Sequence, residues 1–286
     1  MALGQDTPAA EQHGNPFSRS NLRRKIGPSN PLYGLLLDSC IEDIFAPQEF
    51  NDHFVVLDTA IWNADADTTA VDFALATDVV SGQLTGQLPN TDNAWIRLNS
   101  VARPFDRDHR PVVISAFKCS EFDSDDDLLK VEFGFTANLG TADNTAAGAN
   151  IGQVLVKATP TNTTNDFSLV TLDTDDNVFW DVIGDVGGTT VTTNVASSSS
   201  WNPATGAADL TAGDDAWQVI MVAVNENAEA RGWVNGSYIG RVAAAAPAAG
   251  TGLGIHLFVQ NREAPGGTRD FEIDYIKAWQ ERAVIA

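Results

Sequence analysis

The chain of 286 residues is poor in several residue types at once: two Cys, two Met, three Tyr and four His, with 17 Lys and Arg against 38 Asp and Glu. Cys40 and Cys119 are too few for a disulfide framework. With no CxxC or Cys/His cluster they give no zinc-site spacing, and both are expected to be buried free thiols. His13, His53, His109 and His256 show no HxH or HExxH pattern, so neither a metal centre nor a Ser/His/Asp site is indicated. His256, inside an apolar run, reads as a satisfied core residue. No apolar run is long enough to span a membrane, and the N-terminus has neither the charged nor the apolar region of a secretion signal. Synthesis in a cytoplasm and no membrane partner are therefore expected. The Gly-rich stretch Gly184–Gly188 lacks the following Lys-Ser/Thr of a phosphate loop and reads as a turn.

What is present points elsewhere. Hydrophobic residues make up 43% of the chain and there are seven Trp, enough apolar surface for a sizeable core despite a net charge of −21. The charge is uneven. Residues 1–34 carry Arg19, Arg23, Arg24 and Lys25 against Asp6 and Glu11, leaving −23 for the remainder. Residues 1–34, rich in Pro, Gly, Asn, Ser and Gln, read as an extended basic arm that orders on a partner surface; residues 35–286 form the acidic body. Such a body repels nucleic acid and stays soluble.

Beyond a segment at Leu35–Phe54 that suits a short helix or a first strand, the pattern is repeatedly that of strands. Runs of Val, Ile, Phe, Thr and Trp are bounded by Gly, Asn, Asp or Pro. They cover Phe54–Leu57, Ala70–Leu75, Ala94–Leu98, Val112–Lys118, Leu128–Thr136, Ile151–Lys157, Phe167–Leu172 and Val178–Val182. Thr189–Val195, Trp217–Val224, Ala230–Arg241, Gly252–Val259 and Phe271–Trp279 follow. So many strands without a helix imply two packed sheets. In the last strand, FEIDYIKAWQER, Phe271, Ile273, Tyr275, Lys277 and Trp279 fall on one face and Glu272, Asp274, Ile276 and Ala278 on the other. Apolar residues at the later positions of both faces suit a central strand covered from both sides. Turns at Asn225–Asn227 and Asn235-Gly236, the latter of type I′, predict two successive hairpins. Gly140–Asn150, Ala196–Gly213 and Ala243–Gly252 read as loops.

Asp214-Asp215-Ala216-Trp217 before an apolar strand, then Trp233-Val234-Asn235-Gly236-Ser237-Tyr238-Ile239-Gly240, and finally Asp274-Tyr275-Ile276 with Trp279-Gln280-Glu281-Arg282, resemble the concanavalin A-like or laminin G-like jelly roll. The resemblance runs in order over residues 45–282 and implies an all-β, two-sheet antiparallel sandwich. The QER ending further resembles jelly-roll virion proteins of tailed, marine bacteriophages. That likeness implies a structural, non-enzymatic role as a capsid decoration protein on the outer surface of a phage head. It would be bound to the major capsid protein lattice through the arm and self-associated as a homotrimer or homodimer.

Two other functions compete. A carbohydrate-binding, lectin-like module would use loop aromatics, with a surface glycan as partner; Trp201, in the loop SSSSWNP, is the candidate exposed aromatic. Trp217, Trp233 and Trp279 are expected to pack in the core or on the sheet. A laminarinase-type glycoside hydrolase shares the jelly roll and uses alternate carboxylates on one strand. Glu121 and Asp123 imitate that spacing, but the run continues into Asp125, Asp126 and Asp127 as a solvated turn would. No cofactor is expected, apart from the calcium that a lectin-like module can use. Asp173, Asp175 and Asn177 repeat the D-x-D-x-N spacing of calcium ligands, although Val178 and Gly184 stand where an EF-hand has Gly and Glu, so a hydrated turn is the competing account.

Overall fold

The computed structural model describes residues 48–54, 56–67, 70–76, 82–120, 129–137, 155–156, 161–162, 166–173, 177–185, 217–243, 246–262 and 267–281. The first strands in chain order are β1 (Gln48–Asp52), β2 (Trp62–Ala66), β3 (Val71–Leu75), β4 (Leu84–Leu88) and β5 (Trp95–Ser100). Next come β6 (Val112–Cys119), β7 (Leu129–Thr136), the two-residue pair β8 (Leu155–Val156) and β9 (Thr161–Asn162), β10 (Phe167–Asp173) and β11 (Asn177–Asp185). The last are β12 (Gln218–Val224), β13 (Ala230–Val234), β14 (Ser237–Val242), β15 (Gly254–Asn261) and β16 (Arg269–Gln280). The helical content among the described residues is one 3₁₀ turn at Arg107–His109.

Two antiparallel sheets result. One has eight strands, ordered β14-β13-β12-β6-β16-β4-β3 with β1 also on β16; the other has six, ordered β11-β10-β7-β15-β5-β2. Alternation explains the layering. In β7, Leu129, Val131, Phe133 and Phe135 enter the shared core, and in β15 Ile255, Leu257 and Val259 do the same, opposite Val113, Phe117, Ile220, Val222 and Phe271 of the other sheet. Both sheets are sampled by strands distant in sequence, as a jelly roll requires.

The last strand departs from strict alternation. Its register on β6 shifts between Ile273 and Tyr275, a β-bulge at Asp274. Because of that one extra residue, Phe271 and Ile273 are followed into the core by Ile276 and Ala278, whereas Trp279 turns to the opposite face. There it forms a smaller buried cluster with Val112, Met221, Ala223 and Trp233. The expected grouping of Phe271, Ile273 and Tyr275 with Trp279 on one face is thus corrected by the bulge, while the expectation of burial from both sides holds.

The bulge also divides the strand's partners. β4 pairs with Phe271 and its neighbours as far as Ile273, and β1 pairs with Ile276 to Gln280 along the same edge. Where β1 and β4 abut, Gly82 has φ +77°, and a Cβ there would lie 2.3 Å from the His53 carbonyl oxygen, so only glycine fits. The segment Phe54–Leu57, expected as a strand, is instead loop. Phe54 adopts a left-handed φ of 50° and its N–H donates to Asp52 Oδ1 at 2.7 Å. The hairpin β13–β14 turns at Asn235 (φ 49°) and Gly236 (φ 80°), both positive as type I′ demands, splitting the single expected run Ala230–Arg241 in two. β2 and β4 were not foreseen. Residues 1–34, Cys40, Thr189–Val195 and residues 196–213 lie outside the described residues. Cys119 is buried in the core.

Candidate functional site

The two sheets are finished at one edge by β2 and β3, which follow one another in sequence but belong to different sheets. A chain that crosses from one sheet to the other leaves a seam, and a cavity of about 420 Å³ opens there. Its apolar wall includes Leu57, Phe73 and Val101; its polar wall includes Asn63, Asp72 and Asn99. Trp62 lines it too, 1% exposed and fixed by donation from Nε1 to Asp52 Oδ2 at 2.7 Å. Val101, 53% exposed, also lines it, its N–H held by the Ile61 carbonyl at 2.7 Å.

Asp72 is the carboxylate in this lining. Its Oδ1 accepts the N–H of Phe73 at 2.7 Å. Partial burial pushes its pKa above the ordinary carboxylate value, partly opposed by that backbone N–H, and the Asp65 charge adds to the rise. Arg97, whose charge acts the other way, is committed elsewhere: Nη2 donates to Asp65 Oδ2 at 2.7 Å, and the guanidinium lies 5.6 Å from the Trp95 ring centre.

Behind the pocket, one polar row crosses four neighbouring strands on the face of the six-stranded sheet opposite the core. It runs from Lys130 and Glu132 on β7, through His256 on β15 and Asn99 and Arg97 on β5, to Asp65 on β2. Lys130 Nζ stands 2.9 Å from Glu132 Oε1, with both side chains at most 1% exposed. His256 Nε2 is 3.1 Å from Glu132 Oε2 and its Nδ1 is 2.8 Å from Asn99 Oδ1. Burial pushes the His256 pKa down, opposed by Glu132. Lys130 already balances the Glu132 charge, so a neutral imidazole leaves the cluster electrically even. His256 is therefore the satisfied buried histidine expected from its apolar strand. The row touches the pocket wall at Asn99, which belongs to both.

The residues singled out from sequence fall elsewhere. Asp173 and Asn177 are paired across the β10–β11 ladder, with Asp175 outside the described residues. Among the described residues no group of three or more His, Cys, Asp or Glu is placed to hold a metal ion. Glu121, Asp123, Trp201, Arg19, Arg23, Arg24 and Lys25 also lie outside them. Trp233 and Trp279 are buried, as expected. Trp217 is not: it is 42% exposed, with Lys118 Nζ 5.7 Å from its ring centre.

The pocket residues Asn63, Asp72 and Asn99 went unnoticed in the sequence, since each is one polar position in an ordinary strand and only the meeting of three strands joins them.

No protein-family model matches the chain, and no curated protein sequence matches it. Solved structures do match in shape. The potassium-bound carbohydrate recognition domain of Emp46p superposes with a TM-score of 0.51 at 13% identity, over 80% of this chain and 95% of that one. A protein of unknown function from Shewanella oneidensis gives 0.49 at 14% identity over 91% and 98% of the two chains. The Bacillus licheniformis β-glucanase gives 0.45 at 9% identity over 82% and 98%. With two antiparallel sheets of eight and six strands and a neighbour of that architecture, the chain is a concanavalin A-like jelly-roll β-sandwich.

Proposed function

We propose that this protein is a carbohydrate-binding module and that the seam pocket between β2 and β3 is its sugar site. The carrying observation is the pocket's composition. Amide and carboxylate groups of Asn63, Asp72 and Asn99 line one wall and the apolar Phe73, Leu57 and Val101 another, in a volume of about 420 Å³ suited to a small ligand. A sugar ring has hydroxyls at its rim and C–H groups on its faces, and such a pocket answers both. The Emp46p domain of the same fold is a carbohydrate recognition domain, which supports the reading.

Binding is proposed over hydrolysis because, among the described residues, a single carboxylate lines the cavity. Glycoside cleavage uses two carboxyl groups flanking one bond. Asp72 lines the cavity, whereas Asp65 is held by Arg97 and Glu132 is fully buried between Lys130 and His256. Titration of the full chain with a panel of oligosaccharides, with and without chelator, tests the reading. Saturable binding weakened by Asn63→Ala is expected. Absence of binding to every glycan, or binding indifferent to Asn63→Ala, overturns it.

A second role, decoration of a phage head through the arm of residues 1–34, is compatible with glycan binding by the body and draws on the charge division between arm and body. Loss of particle association on deleting residues 1–34 is its expected signature; a truncated protein that still co-purifies stoichiometrically with capsids would remove it.

A further inference from the structure

Resting on the carbohydrate-binding reading, we infer that the seam pocket selects sugars carrying a free amino group, with Asp72 as the carboxylate that receives the ammonium.

Three observations combine. First, a carboxylate lines a partly enclosed cavity whose other lining residues, among the described ones, include no Lys, Arg or His. Its hydrogen bond is to the neighbouring Phe73 N–H, which leaves its charge unbalanced. Second, the basic residue whose charge reaches it, Arg97, is 2% exposed and ion-paired to Asp65 at 2.7 Å, so it cannot turn to balance Asp72. Third, the surrounding protein is strongly acidic, at −21 overall. A neutral hydroxyl can hydrogen-bond to Asp72 but leaves the charge uncompensated. An ammonium supplies both the donors and the charge, and charge-assisted bonds are about twice as strong as neutral ones. A uronate or sulfated sugar meets repulsion from Asp72 and from the body. Asn63 supplies a neutral polar contact to the rest of the ring and Phe73 the apolar one, so the carboxylate is left to discriminate.

The test compares four β-1,4-linked oligomers of equal length, built from glucosamine, N-acetylglucosamine, glucose and glucuronate, by calorimetric titration of the full chain. The glucosamine oligomer is expected to bind about tenfold tighter or more than the glucose one. Acetylation should remove the gain, the glucuronate oligomer should bind weakest, and added salt should narrow the spread. Asp72→Asn should abolish the preference for the glucosamine oligomer over the glucose one. Wild-type binding with no preference for the amine, or a preference that persists in Asp72→Asn, overturns the inference while leaving the carbohydrate reading intact. Failure of all four to bind removes this inference, and failure across the wider glycan panel removes the carbohydrate reading with it. The wild-type comparison of amine with N-acetyl sugar decides the matter even if the variant fails to fold.

Discussion

His256 and Asn99 face each other at 2.8 Å across the β15–β5 pairing, and the contact sets the protonation of the ring. Glu132 can only accept from Nε2. A neutral ring donating Nε2–H to Glu132 keeps its lone pair at Nδ1, which calls for the Asn99 amide to turn over from the orientation in which Oδ1 faces the ring. An imidazolium would donate to both oxygens but add an unbalanced buried charge. Burial therefore wins and the pKa falls below 6.5. The unfolded chain, with an ordinary imidazole, takes up the proton first as pH drops. Stability present above 6.5 is consequently lost as pH falls through and below that value. Thermal melts over this range should show the slope in the wild type and a flatter profile in His256→Gln.

Lys130→Met strips Glu132 of its ion-pair partner in a site with at most 1% exposure. Removing one member of a buried pair costs about 3–5 kcal/mol. Chemical denaturation should report a loss of that order, and the double change Lys130→Met with Glu132→Gln should recover part of it.

Asp72 carries the opposite linkage. Its pKa is raised above 3.8, so its charged form is the one the fold disfavours, and stability from this group falls as pH rises through the carboxylate range. Asp72→Asn keeps an oxygen for the Phe73 N–H and is expected to raise the melting temperature at neutral pH relative to wild type. A lowered melting temperature would mean that the carboxylate has a structural role.

The tryptophans should divide sharply. Trp279, 1% exposed in a packed cluster, should cost about 3 kcal/mol or more as Trp279→Ala. Trp217→Ala, which removes a half-exposed ring and its contact with Lys118, should cost about 1 kcal/mol or less.

The strand runs Val112–Lys118, Phe167–Leu172 and Phe271–Trp279 were legible because each alternates or packs β-branched and aromatic residues at a two-residue period. β2, WNADA, and β4, LTGQL, were not, because their residues are small or polar and owe their strand conformation to Trp62 and Leu84 reaching a core built by others. The bulge at Asp274 was equally hidden, since an added residue looks in sequence like continued alternation. Trp217 was misjudged for a related reason: it precedes β12 in an apolar run, yet its alternation points it away from the core toward Lys118. The pocket was illegible for a topological reason. Asn63, Asp72 and Asn99 sit on three strands that converge only after both sheets are laid down, and the Asp-rich runs that attract the eye lie elsewhere in the chain.

Gly82→Ala should be among the most damaging single-methyl additions, since a new Cβ would stand 2.3 Å from the His53 oxygen in a backbone conformation that L-residues avoid. A loss of about 2 kcal/mol or more is expected in equilibrium unfolding.

β16 stands in the middle of its sheet, with β6, β12, β13 and β14 on one side and β1, β3 and β4 on the other. A ribosome delivers this strand after all of those partners have emerged. Until residues 269–280 leave the exit tunnel, the nascent chain holds two half-sheets with unpaired edges and no means of joining them. The domain therefore completes its folding only once this strand has emerged, in one late step, and chaperones that shield open strand edges have their longest opportunity to act on this chain just before that step.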